Sequence, residues 1–245
     1  MSLQFSDTST LRGLVQMYER EIGVNRGTVS GNTNLLKEFA ADANLAMDDY
    51  LSIMIQVSGM WKGDDTNHTD YPEIYTNLVA NQRDYTFLTD ENGNMILDIY
   101  KVYVLNNGVY KLLEPYDSDT ERSASSFTDG TTTTGVASKY DKTANAIRLD
   151  LRPAANVTDG LKVSINREGS YFDYTDTTKK PGFPGVHHKY FYLRPALDYA
   201  RRNTLTSYPR IEAEVMKAEQ EIKEYFDRRA KDENPTLHIN RESTK

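Results

Sequence analysis

Cysteine is absent from this 245-residue chain. Disulfide bonds, a thiolate nucleophile and a cysteine-based zinc site are therefore excluded, and synthesis in a reducing cytoplasm is compatible with the composition. Familiar catalytic motifs are missing as well: the chain has no Gly-x-Ser-x-Gly elbow, no phosphate-binding glycine loop with a lysine and no Gly-x-Gly-x-x-Gly after a strand. We expect no catalytic residue, no metal site and no cofactor, and therefore no enzyme.

Long apolar runs are also missing. No stretch approaches the ~20 residues that a membrane-spanning helix needs. Residues 1–7 show no basic region followed by an apolar core, so we expect no signal peptide and no membrane association. The net charge is −7, with acidic and basic residues mixed along the chain, and no long basic run indicates free binding to nucleic acid.

Three groups of residues that suggest chemistry have the wrong spacing. His187 and His188 are adjacent and so point to different faces of a helix, which favours solvated imidazoles at a helix start over a metal site. The acidic loop 64–70 lacks the central glycine and the closing glutamate of a calcium loop. Glu168 and Asp173 are one of the many carboxylate pairs that a chain with 36 acidic residues offers.

Helical periodicity is confined to the two ends of the chain. Apolar residues recur at three- and four-residue steps over residues 34–58, and a shorter helix that ends at Gly23 precedes them. A second helical stretch begins near residue 187 and runs to about residue 231, with a turn at 206–209. Within it, Pro195 should kink the helix or delay its start.

The middle of the chain, residues 71–172, alternates between apolar and polar residues as strands do. Asn107-Gly108 predicts a hairpin, because both residues of a type I′ turn need positive φ. Residues 146–151 and 161–166 alternate in the same way. A Ser/Thr-rich loop at 117–138 has little to bury. Several short strands joined by turns predict an antiparallel sandwich or an open barrel.

The order of these segments predicts an α+β fold in which a β domain is inserted into a helical bundle. We expect residues 1–70 and 180–232 to form the bundle, residues 71–179 the β domain, and residues 233–245 an extended tail. This scaffold suits a component of an assembly. The alternative is a carbohydrate- or receptor-binding β module on a helical stalk, which would need exposed aromatic side chains beside clustered polar groups.

Two stretches of the sequence resemble a known family. Residues 71–72 and 77–87, Tyr-Pro and Asn-Leu-Val-Ala-Asn-Gln-Arg-Asp-Tyr-Thr-Phe, resemble the beginning of the β domain in phage head–tail adaptor proteins, and residues 172–184 resemble its end. A Leu-Asp-Tyr-Ala run at 197–200 and a charged final helix around 222–229 follow in the family's order. The resemblance covers most of the chain. It is to the connector group that includes tail tubular protein A and the tail accessory factors of short-tailed phages.

This resemblance implies a structural protein of the virion neck, synthesised in the host cytoplasm. Such proteins form a homo-oligomeric ring, commonly of twelve copies, between the portal protein and the next tail protein. They prolong the channel through which DNA passes without specific binding. An acidic surface suits such a channel, because like charges repel phosphate, although the same net charge also serves ordinary solubility.

Two sets of residues are the predicted contacts of that ring. The residues alone leave the tail either a frayed terminus or a segment that docks on a partner. Related adaptors use their C-terminal region to grip the portal, so the resemblance implies that the tail binds the portal or a tail segment. The predicted partner-binding residues are Leu237, His238, Ile239 and Arg241. The charged face of the last helix is the predicted contact between subunits, and its candidate residues are Lys217, Glu221, Glu224 and Arg228.

Overall fold

The computed structural model describes residues 2–58, 73–90, 93–116, 133–143 and 146–233. These residues form α-helices and two β-sheets, so the α+β class predicted from the sequence is confirmed. The chain divides into two compact units. Met1–Thr69 with Gly169–Lys245 form the helical unit, and Asp70–Glu168 form the β unit.

The first two helices begin and end where local sequence signals place them. Helix α1 spans Leu14–Ile22 and ends at Gly23, which adopts a left-handed conformation with φ of 77°. Helix α2 spans Thr33–Ser58. The side-chain Oδ1 of Asn32 accepts hydrogen bonds from the backbone N–H groups of the two residues after Thr33, at 3.0 and 3.3 Å. Asn32 therefore caps α2, because its side chain satisfies N–H groups of the first helical turn.

The C-terminal helical stretch contains two helices. A short 3-10 turn at Gly185–His187 precedes α3, which spans Tyr190–Arg202, and α4 spans Tyr208–Glu233. Pro195 lies inside α3, so the proline does not delay the start of this helix. The predicted break near residues 206–209 separates the two helices, and Pro209 lies in the first turn of α4, where a missing N–H is tolerated.

Helices from both ends of the chain share one hydrophobic core. Tyr50 of α2 is fully buried, and its ring centroid lies 4.4 Å from that of Phe183, 5.4 Å from that of Phe191 and 5.9 Å from that of Phe226. Aromatic pairs at these distances stabilise a core beyond the area that they bury. The N-terminal Phe5 is also fully buried in this core.

The second boundary of the β unit lies at Glu168, and not at residue 179 as predicted. Phe172 is only 5% exposed within the core of the helical unit. The side-chain amide of Asn44 in α2 donates to the carbonyl of Phe172 at 3.0 Å and accepts from its N–H at 2.8 Å. The segment after Glu168 has no helical period, and the sequence alone therefore assigned it to the β insert.

The β unit consists of two four-stranded sheets that enclose one core. The first sheet has the order β1, β8, β3, β4, with the bounds Glu73–Leu78, Val157–Arg167, Ile96–Asn106 and Val109–Leu112. The second has the order β2, β7, β6, β5, with the bounds Asp84–Thr86, Ala146–Leu149, Lys139–Thr143 and Glu114–Pro115. The edge strands of the two sheets follow one another along the chain: β1 is followed by β2 in the second sheet, and β4 is followed by β5. The sandwich is therefore linked along both edges.

One strand pair departs from the predicted antiparallel pattern. Strands β5 and β6 run parallel, with Glu114 opposite Lys139 and Pro115 opposite Tyr140. A parallel pair needs a long connection, and residues 116–138 supply it. Most of the predicted loop 117–138 lies outside the described residues. The predicted hairpin is confirmed: Asn107 and Gly108 have φ of 51° and 78° between β3 and β4.

Candidate interface surfaces

The predicted subunit-interface residues lie along one face of α4. They follow one another at steps of four, three and four residues, and such steps place side chains in a row. Lys217, Glu224 and Arg228 are exposed, whereas Glu221 is half-buried. Nη2 of Arg228 lies 3.5 Å from Oε2 of Glu224, with the two side chains 79% and 51% exposed. An ion pair this exposed contributes little to folding, so both charges can bind a neighbouring molecule.

Glu221 is engaged within its own chain. Nζ of Lys189, the residue before α3, donates a hydrogen bond of 2.5 Å to Oε2 of Glu221. This bond holds the pKa of the carboxyl below its ordinary value. Glu221 therefore links α3 to α4, and the exposed part of the row consists of the other three residues.

The four tail residues predicted to bind a partner, Leu237, His238, Ile239 and Arg241, lie outside the described part of the chain, which ends at Glu233. Helix α4 continues to Glu233, so the predicted tail boundary falls on the last helical residue. The docking role of the tail stays a prediction. The acidic loop 64–70 also lies outside the described residues.

The family-like stretch 77–87 builds the turn between the two sheets. The hydroxyl of Tyr85 accepts a hydrogen bond from the N–H of Val79 and donates one to the carbonyl of Gln82, both at 3.2 Å. Nε of Arg83 donates to the carbonyl of Leu149 at 3.0 Å. These side chains bind backbone groups, so this part of the resemblance lies in residues that set the architecture.

The family-like stretch 172–184 attaches the returning chain to the helical unit. Phe172 is held by Asn44, as described above. Phe183 is 3% exposed, and its ring stacks on that of Phe191 with centroids 5.5 Å apart and an interplanar angle of 21°. Backbone N–H of Phe5 donates to the carbonyl of Lys179 at 2.7 Å. The residues of this stretch therefore also contribute to the fold.

Both adjacent histidines are buried, so the prediction of solvated imidazoles was wrong. His187 is 4% exposed and shares a hydrogen bond of 2.7 Å between its Nδ1 and Oη of Tyr50. Nδ1 of His188 accepts from the N–H of Leu3 at 2.9 Å, and its Nε2 donates to the carbonyl of Phe183 at 2.8 Å. Burial lowers the pKa of His187 to about 4 and also lowers that of His188. The 3-10 turn directs the two rings into different parts of the same core, which adjacency in a sequence does not reveal.

Chemistry-bearing groups are few in the described part of the chain. No three histidine, aspartate or glutamate side chains there are arranged to hold a metal ion. The carboxylate of Asp173 accepts hydrogen bonds from the N–H and hydroxyl of Thr175, which hold its pKa below the ordinary value. These bonds join Asp173 to the residue two positions on, as in an Asx turn, so Asp173 stabilises a turn. None of the described helices is long and apolar enough to span a bilayer.

An aromatic cluster on the outer face of the first sheet was not found from the sequence. Lys162 of β8 lies opposite Tyr75 of β1 and Tyr103 of β3. Its neighbours Leu161 and Val163 are fully buried, so Lys162 lies on the face away from the core. We call Glu73, Tyr75, Tyr103, Tyr110 and Lys162 the tyrosine cluster.

The tyrosine cluster combines aromatic and charged groups. Nζ of Lys162 lies 4.7 Å from the ring centroid of Tyr103 and 5.4 Å from that of Tyr110. It also donates a hydrogen bond of 3.1 Å to Glu73. Tyr75 is 49% exposed and meets Tyr110 edge-on at 6.1 Å. The sequence indicated only the hairpin that brings Tyr103 near Tyr110. The pairing of β1 and β3 with β8 joins strands that are far apart in the sequence, so it could not be inferred.

No protein-family model matches this chain, and no curated protein matches it either. Inference about function therefore depends on the resemblance of the two stretches and on the surfaces described above. These surfaces are the exposed row on α4 and the tyrosine cluster of the β unit.

Proposed function

We propose that this chain is a structural subunit of a phage neck that forms an adaptor ring between the portal and the tail. The main support is the position of the two family-like stretches in the fold. Residues 77–87 build the turn between the first strands of the two sheets. Residues 172–184 attach the chain to the helical unit after the β insert. Both stretches determine how the chain folds. A fold shared with phage adaptor proteins supports, by analogy, a shared role in assembly.

The exposed row on α4 supports side-to-side contacts in such a ring. In a ring of identical subunits, one surface of each copy contacts a different surface of the next copy. The rotation between neighbouring copies must bring the last copy back to the first. Lys217, Glu224 and Arg228 present charges of both signs there. Exposed charge pairs contribute little individually, so the subunit associates weakly alone and closes into a ring, of twelve copies by resemblance, on the portal.

The charge of the chain supports a DNA channel that does not bind DNA specifically. The chain has 36 acidic and 29 basic residues. A net negative surface repels phosphate, so DNA passes the ring without adhering. The protein then needs no catalytic residue, cofactor or membrane contact; its partners are the portal protein, the next tail protein and further copies of itself, and it resides in the virion.

Co-sedimentation with isolated portal rings tests this proposal. The chain alone should remain in the supernatant as a monomer or a weak oligomer, as light scattering over a concentration series would show. With portal rings it should pellet at a fixed ratio of one subunit per portal subunit. A chain that forms a permanent two-fold dimer, or stays in the supernatant beside the portal, would refute the proposal.

The tyrosine cluster favours a second candidate, a saccharide- or receptor-binding role of the β unit. It places a half-exposed Tyr75 beside the charged Glu73 and Lys162. Aromatic faces with adjacent polar groups are suited to sugar rings. Titration with oligosaccharides from the host-cell surface would test this role. Binding should be lost in Tyr75→Ala and kept in Tyr208→Ala, a change in the helical unit; absence of any binding removes this candidate.

A further inference from the structure

The helical unit contains a cavity of about 300 Å³ whose lining comes from α1, α2, α3 and the loop after α1. Its apolar lining includes Ile22, Val29 and Leu35. Ile22 and Val29 are buried and Leu35 is half-buried, so these side chains are fixed parts of the core. The volume is at the lower end of the range for small-molecule sites. The exposed row on α4 and the tyrosine cluster do not contribute to this lining.

A tyrosine hydroxyl that makes no hydrogen bond within the described residues lies at this cavity, and it is the accessible tip of a side chain that is otherwise buried. Tyr18 is 5% exposed, and its ring packs on Phe39 with centroids 4.8 Å apart. Its hydroxyl makes no hydrogen bond with any residue that the structure describes. Tyr18 itself lines the cavity, together with Asp42 and Arg202. This hydroxyl is free to bond a ligand that enters the cavity, since its oxygen can accept a hydrogen bond and its O–H can donate one.

The polar wall of the cavity carries an excess of negative charge. Glu38 and Asp42 are four residues apart on α2 and therefore lie on one face. Nη2 of Arg202 lies 2.7 Å from Oδ2 of Asp42, so these two charges compensate each other. Glu38 is exposed at the rim and has no ion pair within the described part of the chain. One carboxylate at the wall therefore remains uncompensated.

We propose that this cavity binds a guanidinium or ammonium group carried on a short aliphatic stem. The apolar lining takes the stem, as it would the methylene groups of an arginine or lysine. The cation's N–H groups donate to the carboxylate of Glu38 and to the hydroxyl oxygen of Tyr18, which can accept. The source is either a small free cation or a basic side chain of a partner protein. This site is independent of the adaptor ring.

Two probes of nearly equal shape test the site, n-butylguanidinium and the neutral n-butylurea. The intact chain is titrated with each, and binding is followed by the ring resonances of ¹³C-labelled tyrosine, with the Tyr18 signal assigned from Tyr18→Phe. The cation should bind at least ten-fold more tightly than the urea and should shift the Tyr18 signal. Glu38→Gln should remove most of that preference, and Tyr18→Phe should weaken cation binding several-fold. Glu114→Gln, in the β unit, is the matched control and should leave affinity unchanged.

Equal binding of the two probes, undiminished preference in Glu38→Gln, or no binding of the cation would overturn the proposal. Glu38 is exposed, so its substitution does not endanger the fold and the test remains decisive even if Tyr18→Phe is poorly folded. A capped Gly-Arg-Gly peptide distinguishes the sources. If it binds at least as tightly as butylguanidinium, the ligand is a partner's arginine; if only the free probe binds, the ligand is a small cation.

Discussion

At the scale of single residues, buried polar side chains fix the loops of the helical unit. Glu19 is fully buried, and its carboxylate accepts hydrogen bonds of 3.0, 2.8 and 2.9 Å from the N–H groups of Gly27, Val29 and Ser30. A buried carboxylate is tolerated only with such partners. The loop between α1 and α2 is therefore held by one side chain, and this loop contributes to the cavity described above.

Glu19→Ala should lower the free energy of unfolding by about 2–3 kcal/mol, because it leaves the buried N–H of Val29 and two partly buried N–H groups without an acceptor. Urea denaturation followed by circular dichroism would measure the loss. Glu38→Ala, an exposed change on α2, is the control and should stay within about 0.5 kcal/mol of the wild type. A loss at Glu19 no larger than at Glu38 would show that the carboxylate does not hold the loop.

The buried histidines make stability depend on pH. The pKa of His187 is about 4 in the fold against an ordinary 6.5, so between these values the unfolded chain binds more protons. The free energy of unfolding should therefore be highest above pH 6.5 and should decrease as the pH drops toward 4. The lowered pKa of His188 has the same effect. Glu221 opposes the shift at His187 and Lys189 adds to it.

Denaturation at a series of pH values between 7 and 4 would measure this dependence. His187→Gln should be less stable at pH 7, because the hydrogen bond to Tyr50 is altered, but its stability should change less with pH. Stability that rises on acidification through this window would contradict the assignment.

At the scale of elements, local signals were sufficient where an element depends on its neighbours in sequence. The cap at Asn32, the end at Gly23 and the turn at Asn107-Gly108 each follow from a residue type that suits one backbone geometry. The parallel pairing of β5 with β6 and the tyrosine cluster depend on contacts distant in sequence. The segment 169–184 has neither a helical nor a strand period, so only its packing shows that it belongs with the helices.

Asn44 offers a test of how that segment is attached. Asn44→Ala removes both hydrogen bonds to the backbone of Phe172, and we expect a loss of about 1–3 kcal/mol in unfolding free energy. Asn34→Ala, in the exposed first turn of α2, is the matched control and should have a small effect. Thermal and urea unfolding would measure both variants. Equal losses would mean that Asn44 does not secure the segment that follows the β unit.

The exposed row on α4 can be tested by charge reversal. Glu224→Lys and Arg228→Glu should each leave the stability of the free subunit within about 1 kcal/mol of the wild type, because the pair is exposed. Each should weaken ring formation on the portal at least ten-fold, since a like-charge contact replaces an attractive one. Lys111→Glu on β4 is the control. Quantitative co-sedimentation would measure the effect, and unchanged assembly would place the subunit contact elsewhere.

At the scale of the whole molecule, both chain ends belong to one helical unit and the β unit is an insertion with its own core. In the described part of the chain the polar groups singled out by the sequence are used for structure: Asp173 forms a turn and the two histidines pack in the core. What remains for interaction is surface. Such an organisation is compatible with the proposed role as an adaptor subunit on the portal.

Electron microscopy of isolated portal rings, with and without the purified chain, tests that claim most directly. We predict that the chain adds a second ring, coaxial with the portal and with one subunit per portal subunit, and that the central channel stays open through both. Portal rings that remain unchanged after incubation with excess chain, or that carry isolated two-fold dimers, would contradict the adaptor function.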